Sequence, residues 1–174
     1  MASLAAGMAL AGKIPFISSY ATFSPGRNNE QIRTTIAINN VNVKIAGAHA
    51  GVSVGPDGAT HQAIEDMAIM RVIANMTVLA PCDVHEARKA TIAAAEIKGP
   101  VYIRFAREKT PVFTTPDTPF EIGKAEILWE PKDGKADVSI IACGPLVHNA
   151  LLAAAQLEKE DIDVFVIDNH TIKP

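Results

Sequence analysis

Residues 76–107, MTVLAPCDVHEARKATIAAAEIKGPVYIRFAR, set a strand, a helix and a second strand end to end. That order constrains the fold more than any other feature of the chain. MTVLA is a short apolar, strand-prone run closed by Pro81 and Asp83. Asp83 can accept hydrogen bonds from the free N–H groups of a helix start. Glu86 stands at the capping-box position, and Gly99 supplies the stop. PVYIRFAR (100–107) returns to a strand pattern. Two strands joined through a helix run parallel in one sheet, because the crossover carries the chain back to the starting edge. The same unit recurs in DVSIIACG, LVHNALLAAAQLEKED and IDVFVIDNH. Upstream, IPFISSY (14–20) and VNVKIAGA (41–48) read as strands. Residues 2–11, 30–40 and about 61–73 read as helices, with Ile32 and Ile36 on one apolar face. The expected class is α/β: a mainly parallel sheet flanked by helices, plus the start of a second α/β domain.

The boundary falls in residues 108–135, which hold four of the eleven prolines. This stretch reads as a linker followed by an edge hairpin around the KDGK turn. The division is 1–116 for the first domain and 117–174 for the linker and opening β-α-β of the second. A net charge of -3 gives no basic footprint for nucleic acid. The apolar start, MASLAAGMALAG, lacks a basic lead and stops at Lys13, too short to span a bilayer. It reads as a helix of small residues that packs closely on a neighbour, in a cytoplasmic chain. Cys82 and Cys143, far apart and outside any CxxC pattern, read as buried thiols rather than a disulfide or zinc pair. Both ends of the chain read as cut from something longer.

The densest chemistry lies in VGPDGATHQ (54–62). Gly55 and Gly58 allow a sharp turn, and Thr60 is a candidate N-cap for the helix after it. Turn physics leaves Asp57 and His61 unexplained. His49 closes the strand ending IAGAH, and Arg104 and Arg107 leave the strand ending IRFAR. Strand C-termini and the helix starts that follow share one rim of a parallel sheet, where ligands bind. Alternation sends Arg104 and Arg107 to opposite faces, so one of them enters the site. Imidazoles, a carboxylate and a guanidinium suit sugar hydroxyls and phosphate. No GxGxxG or GxxxxGK[ST] occurs, and the two histidines match no standard metal spacing, so the metal expectation is none. His85 and His148 read as surface or structural.

GVSVGPDGATHQAIED resembles the G-x-G-x-DG-x-THQ-x-x-E segment of transketolases, in their pyrimidine-binding domain. MASLAAGMALAG is similar to the helix that follows that domain's acidic motif. PFISSYATF resembles the strand and loop bearing aromatics near the cofactor's pyrimidine. MTVLAPCDVHEARKA and YIRFAREKTP resemble the next strand-turn-helix and the arginine-bearing strand end, and DNHTIKP the start of the C-terminal domain. The resemblance covers essentially the whole chain and is nearest to the C-terminal subunit of split transketolases. Deoxyxylulose-phosphate synthase shares the DGxTHQ loop, but HQAIED and FAREKTP are nearer to transketolase.

The resemblance implies thiamine diphosphate as cofactor, with Mg²⁺ bound by the partner domain, and transfer of a two-carbon ketol unit between ketose and aldose phosphates. It gives His61 a catalytic role near the reacting carbons. Asp57 would bind a sugar hydroxyl, His49 and Arg107 the sugar phosphate, and Phe23 the aminopyrimidine. The implied partner is a diphosphate-binding N-terminal subunit, in a homodimer or α2β2 assembly. Two departures stand out. The GIAE-type motif carrying the family's catalytic glutamate would precede Met1, and Asn29 stands where the family places an aromatic. The chain is therefore expected to be inactive alone. The alternatives are a deoxyxylulose-phosphate synthase-like fragment and a non-catalytic partner-binding domain.

Overall fold

The computed structural model describes residues 1–174, which form two sheets. The first has five strands in the order β1-β2-β4-β3-β8. These are β1 (Phe16–Tyr20), β2 (Lys44–Ala48), β3 (Thr77–Leu79), β4 (Val101–Arg104) and β8 (Thr171–Lys173). β1 to β4 are all parallel, and β8 joins β3 antiparallel. The second sheet has the order β5-β7-β6, from β5 (Glu126–Trp129), β6 (Val138–Ala142) and β7 (Val164–Asp168). β6 and β7 run parallel, joined through α5 (Leu146–Leu157) as the sequence implies.

The first sheet is covered on both faces, and its inner strands β2, β3 and β4 are largely buried. α1 (Ala2–Leu10) lies on one side with α2 (Asn29–Gln31), which continues as a wider-wound turn over Ile32–Ala37. Ala2, Ala5 and Ala6 are buried at helical spacing and join Ile32, Ile36 and Ile45 in one cluster. α4 (Val84–Glu96) covers the other face through Ala90 and Ala94 against Val101 and Ile103. Asp83 caps α4 as expected, accepting from the amides of His85 and Glu86 at 3.0 and 3.1 Å. Glu86 reaches one residue past the usual capping-box target, to the Cys82 amide at 2.6 Å. Lys44, on the α4 side of β2, is fully buried. Its Nζ donates to the carbonyls of Ile97 and Gly99 at 3.0 and 2.7 Å, closing the end of α4, and burial lowers its pKa to about 8.

The stretch over Thr22–Arg27 is an irregular helical turn that Ser24 interrupts with extended backbone. Three local expectations need correction. The helix expected over 61–73 is α3, Asp66–Arg71. Its start is delayed because the Ala63 carbonyl accepts from the Gly51 amide at 2.8 Å and is committed to the loop. Thr60 is therefore no N-cap. The hairpin around KDGK does not form: the chain turns there, but β5 pairs with β7, whose Val164 and Val166 are the buried centre of the second sheet. The final strand, β8, pairs with β3 of the first sheet.

No helix is long and apolar enough to cross a membrane. The tightest steric constraint lies at Gly47. A Cβ there would stand 2.2 Å from the Tyr102 hydroxyl and 2.5 Å from its ring. Gly47→Ala is expected to destabilise by about 1–3 kcal/mol, as overpacked core positions do, read from the urea midpoint.

Candidate functional site

The C-terminal ends of β1, β2 and β4 deliver the candidate residues to one rim. β2 ends at Ala48, and His49 follows with a φ of 56°. The next residues fasten the loop: the Ala50 amide donates to the Phe105 carbonyl at 3.0 Å, and Gly51 to Ala63 as above. A short, tight turn over Val52–Asp57 breaks at Gly55, and Gly58 also has positive φ. The His61 amide then donates to the Gly58 carbonyl at 2.9 Å. Residues 49 and 61 are thereby brought back together.

The His49 ring stacks on Tyr20 with centroids 4.4 Å apart. His61 meets Tyr20 edge-on at 5.7 Å and Phe23 edge-on at 5.2 Å. Tyr20 and Phe23 are themselves stacked at 6.1 Å, and the Arg27 guanidinium lies 4.7 Å from the Phe23 centroid. His49, His61 and Phe23 thus share one cluster centred on Tyr20. Its polar atoms are not all used. The His49 Nδ1 is buried without a partner, and the Thr60 hydroxyl pairs with the His61 Nδ1 at 2.9 Å.

Asp57 and Arg107 form a second group. The Arg107 Nη1 donates to the Asp57 carboxylate at 2.7 Å and to the Val54 carbonyl. Any ligand group that bonds to either side chain competes with this partly exposed ion pair. Arg104 goes elsewhere, as strand alternation requires. Its Nε donates to Asp66 at 3.0 Å, and the Tyr102 hydroxyl donates to the same oxygen at 2.6 Å. Asp66 is 1% exposed, and a Cβ on Gly51 would stand 2.9 Å from the Arg104 Nη2. Burial, followed by the Asp66 charge, pushes the Tyr102 phenol well above its usual range. Sequence reasoning missed Asp66 and Tyr102 because neither stands in a chemical motif. The one available signal was the alternation in VYIRF.

A cleft of about 430 Å³ lies beside this rim, lined by Asp83, Val84, Phe105, Lys109 and neighbours. It includes none of His49, Asp57, His61 and Arg107. His148 lies beside Phe113, with ring centroids 5.7 Å apart, and His85 is half-buried in the first turn of α4.

As a donor set the rim offers aromatic surface, an unpaired imidazole nitrogen, and a carboxylate with a guanidinium. The aromatic pair fits a planar heteroaromatic ring, and the polar groups fit hydroxyls and phosphate.

The family described as transketolase, pyrimidine binding domain, matches residues 1–112, and the transketolase C-terminal domain matches residues 123–174. A Methanocaldococcus jannaschii protein described as a transketolase C-terminal section is 45% identical, over 100% of this chain and 54% of its own length. A 6-deoxy-6-sulfo-D-fructose transketolase subunit of a Clostridium species is 38% identical over 100% of this chain and 53% of its own. A solved split-gene transketolase, described as an inactive β4 tetramer, is 46% identical with a TM-score of 0.88. It covers 98% of this chain, which covers 54% of it. The chain spans about half the length of these two curated relatives.

The two ion pairs differ sharply in surroundings. Removing one partner of a buried pair strands the other, so Asp66→Ala is expected to cost about 3–5 kcal/mol. Arg107→Ala should cost less than about 1 kcal/mol, as exposed pairs do. Urea denaturation of the two variants at neutral pH gives the comparison.

Proposed function

This chain belongs to the transketolase family, and we propose that it supplies the pyrimidine side and the sugar-phosphate side of a site for two-carbon ketol transfer. The observation that carries the proposal is the His49–Tyr20–His61–Phe23 cluster, with the unpaired His49 Nδ1 at its edge. Residues 1–116 are the pyrimidine-binding unit, and 117–174 the linker and opening of the C-terminal domain. The cofactor is thiamine diphosphate, which when bound stabilises the carbanion that ketol transfer requires.

Phe23, with Tyr20 beside it, holds the aminopyrimidine ring. His61 binds near the reacting carbons and exchanges protons with the sugar oxygens. Asp57 accepts from a sugar hydroxyl, while His49 and Arg107 hold the phosphate. Mg²⁺ and the diphosphate belong to the N-terminal subunit, and the working assembly is a homodimer or an α2β2 complex. The setting is cytoplasmic pentose phosphate metabolism. Substrate range is open to variation at this rim: one relative is described as acting on a sulfonated sugar.

The experiment pairs the chain, extended upstream with a GIAE-type segment, with a diphosphate-domain subunit. Ketol transfer from a ketopentose phosphate to an aldopentose phosphate is expected. His61→Ala should lower kcat about 100-fold or more, the range for a lost general acid or base. Arg107→Ala should raise KM for a phosphorylated acceptor more than for its unphosphorylated analogue. A pair that binds no thiamine diphosphate by calorimetry would sink the proposal. A second reading, self-association without catalysis, is favoured by the solved relative described as an inactive tetramer. It predicts a stable oligomer of this chain whose thiamine diphosphate binding stays absent when the partner is added.

A further inference from the structure

The seam between the two sheets carries a cluster that the rim chemistry does not use. Cys82 and Glu86 sit at the β3–α4 turn, and Asp168 at the C-terminal end of β7. One ligand-capable atom from each lies within 4.8 Å of the others, and all three residues are buried. The turn and the strand are fixed against one another by backbone. The Ala80 amide donates to the His170 carbonyl at 2.8 Å, and the Gly144 amide to the Ala80 carbonyl at 3.0 Å.

Asp168 supplies a second, independent observation. It is 0% exposed, and neither of its carboxylate oxygens has a hydrogen-bond partner. A buried carboxylate with both oxygens unpaired is costly and calls for an occupant. The neighbouring acid does not share this condition. Asp83 is saturated by the amides of His85, Glu86, Phe113 and Thr114 and by the Thr114 hydroxyl, at 2.7 to 3.1 Å. Glu86 has committed one oxygen to the Cys82 amide.

We propose that Cys82, Glu86 and Asp168 bind one borderline divalent transition-metal ion of the Zn²⁺ class, bridging the two sheets. A proton shared with Glu86 and a weak thiol donor from Cys82 are the metal-free way to satisfy Asp168. A metal ion uses all three side chains. The sulfur ligand disfavours Mg²⁺ and Ca²⁺, which take oxygen shells of six or more. One thiolate and two carboxylates suit a four-coordinate Zn²⁺, with Asp168 chelating through both oxygens or a water completing the shell. Ligand distances of about 2.0–2.3 Å require the three side chains to draw inward on binding. Binding displaces the thiol proton and any carboxyl proton to solvent. The sequence gives no sign of this site because its ligands come from two distant segments with no repeated spacing.

The test is titration of the chelator-treated chain with Co²⁺, whose spectrum reports both sulfur ligation and tetrahedral geometry. The expected result is one equivalent bound, with a thiolate-to-cobalt charge-transfer band that Zn²⁺ abolishes by competition. Cys82→Ser should remove that band, Asp168→Asn should weaken binding at least about 10-fold, and Cys143→Ser should leave both unchanged. Folding of each variant is checked by circular dichroism. Absence of saturable one-to-one binding by the unmutated chain overturns the proposal whatever the variants do. So does a charge-transfer band that survives in folded Cys82→Ser. Neither outcome depends on ketol transfer.

Discussion

The Asp66 carboxylate, buried beneath the rim, is the interaction on which the candidate site depends. It accepts from the Tyr102 hydroxyl and the Arg104 guanidinium, and so ties the first turn of α3 to β4. Two glycines make room for it. Tyr102 lies where a Cβ on Gly47 would stand, and Arg104 lies against Gly51. The network joins β2, β4 and α3, and those elements frame the loop that carries His49, Asp57 and His61. A buried ion pair is weak evidence for net stability, because desolvation offsets most of its attraction. Its value here is positional: the phenol and the guanidinium Nε share one Asp66 oxygen, and that arrangement sets where the loop leaves and re-enters the sheet.

Asp83 plays a comparable part at the seam. Burial alone would raise its pKa, but bonds from Thr114, Glu86 and Phe113 outweigh that and hold it below the usual carboxylate value. One carboxylate thereby caps α4 and fastens the 113–114 segment of the connection to the second sheet. β8 adds the third tie by returning to pair with β3. The two sheets therefore meet through hydrogen bonds rather than through a shared apolar core, consistent with their separate hydrophobic clusters.

Much of the fold was legible because it rests on short-range rules. The Asp83 cap, the buried Ile32 and Ile36, and the β6-α5-β7 unit follow from capping chemistry, helical spacing and crossover geometry. Long-range partners were not legible. Nothing local in KDGK tells β5 to skip β6 and pair with β7. Nothing in THQAIED reveals that the Ala63 carbonyl is taken by Gly51, which moves the helix start to Asp66. The site divides the same way. His49, His61 and Asp57 announce themselves by residue type, and the split between Arg104 and Arg107 follows from alternation. Tyr20 as the centre of the cluster and Asp66 as its support emerge only when three strand ends are brought together.

Amide hydrogen exchange on Arg104→Met tests the positional role of the Asp66 network most directly. The amides of Ala50 and Gly51, which close the base of the loop, should lose protection by about 10-fold or more. Ala90 and Ala94 in α4, across the sheet, should keep theirs, as a local rather than global opening requires. Unchanged protection at Gly51, or an equal loss throughout the chain, would contradict the account.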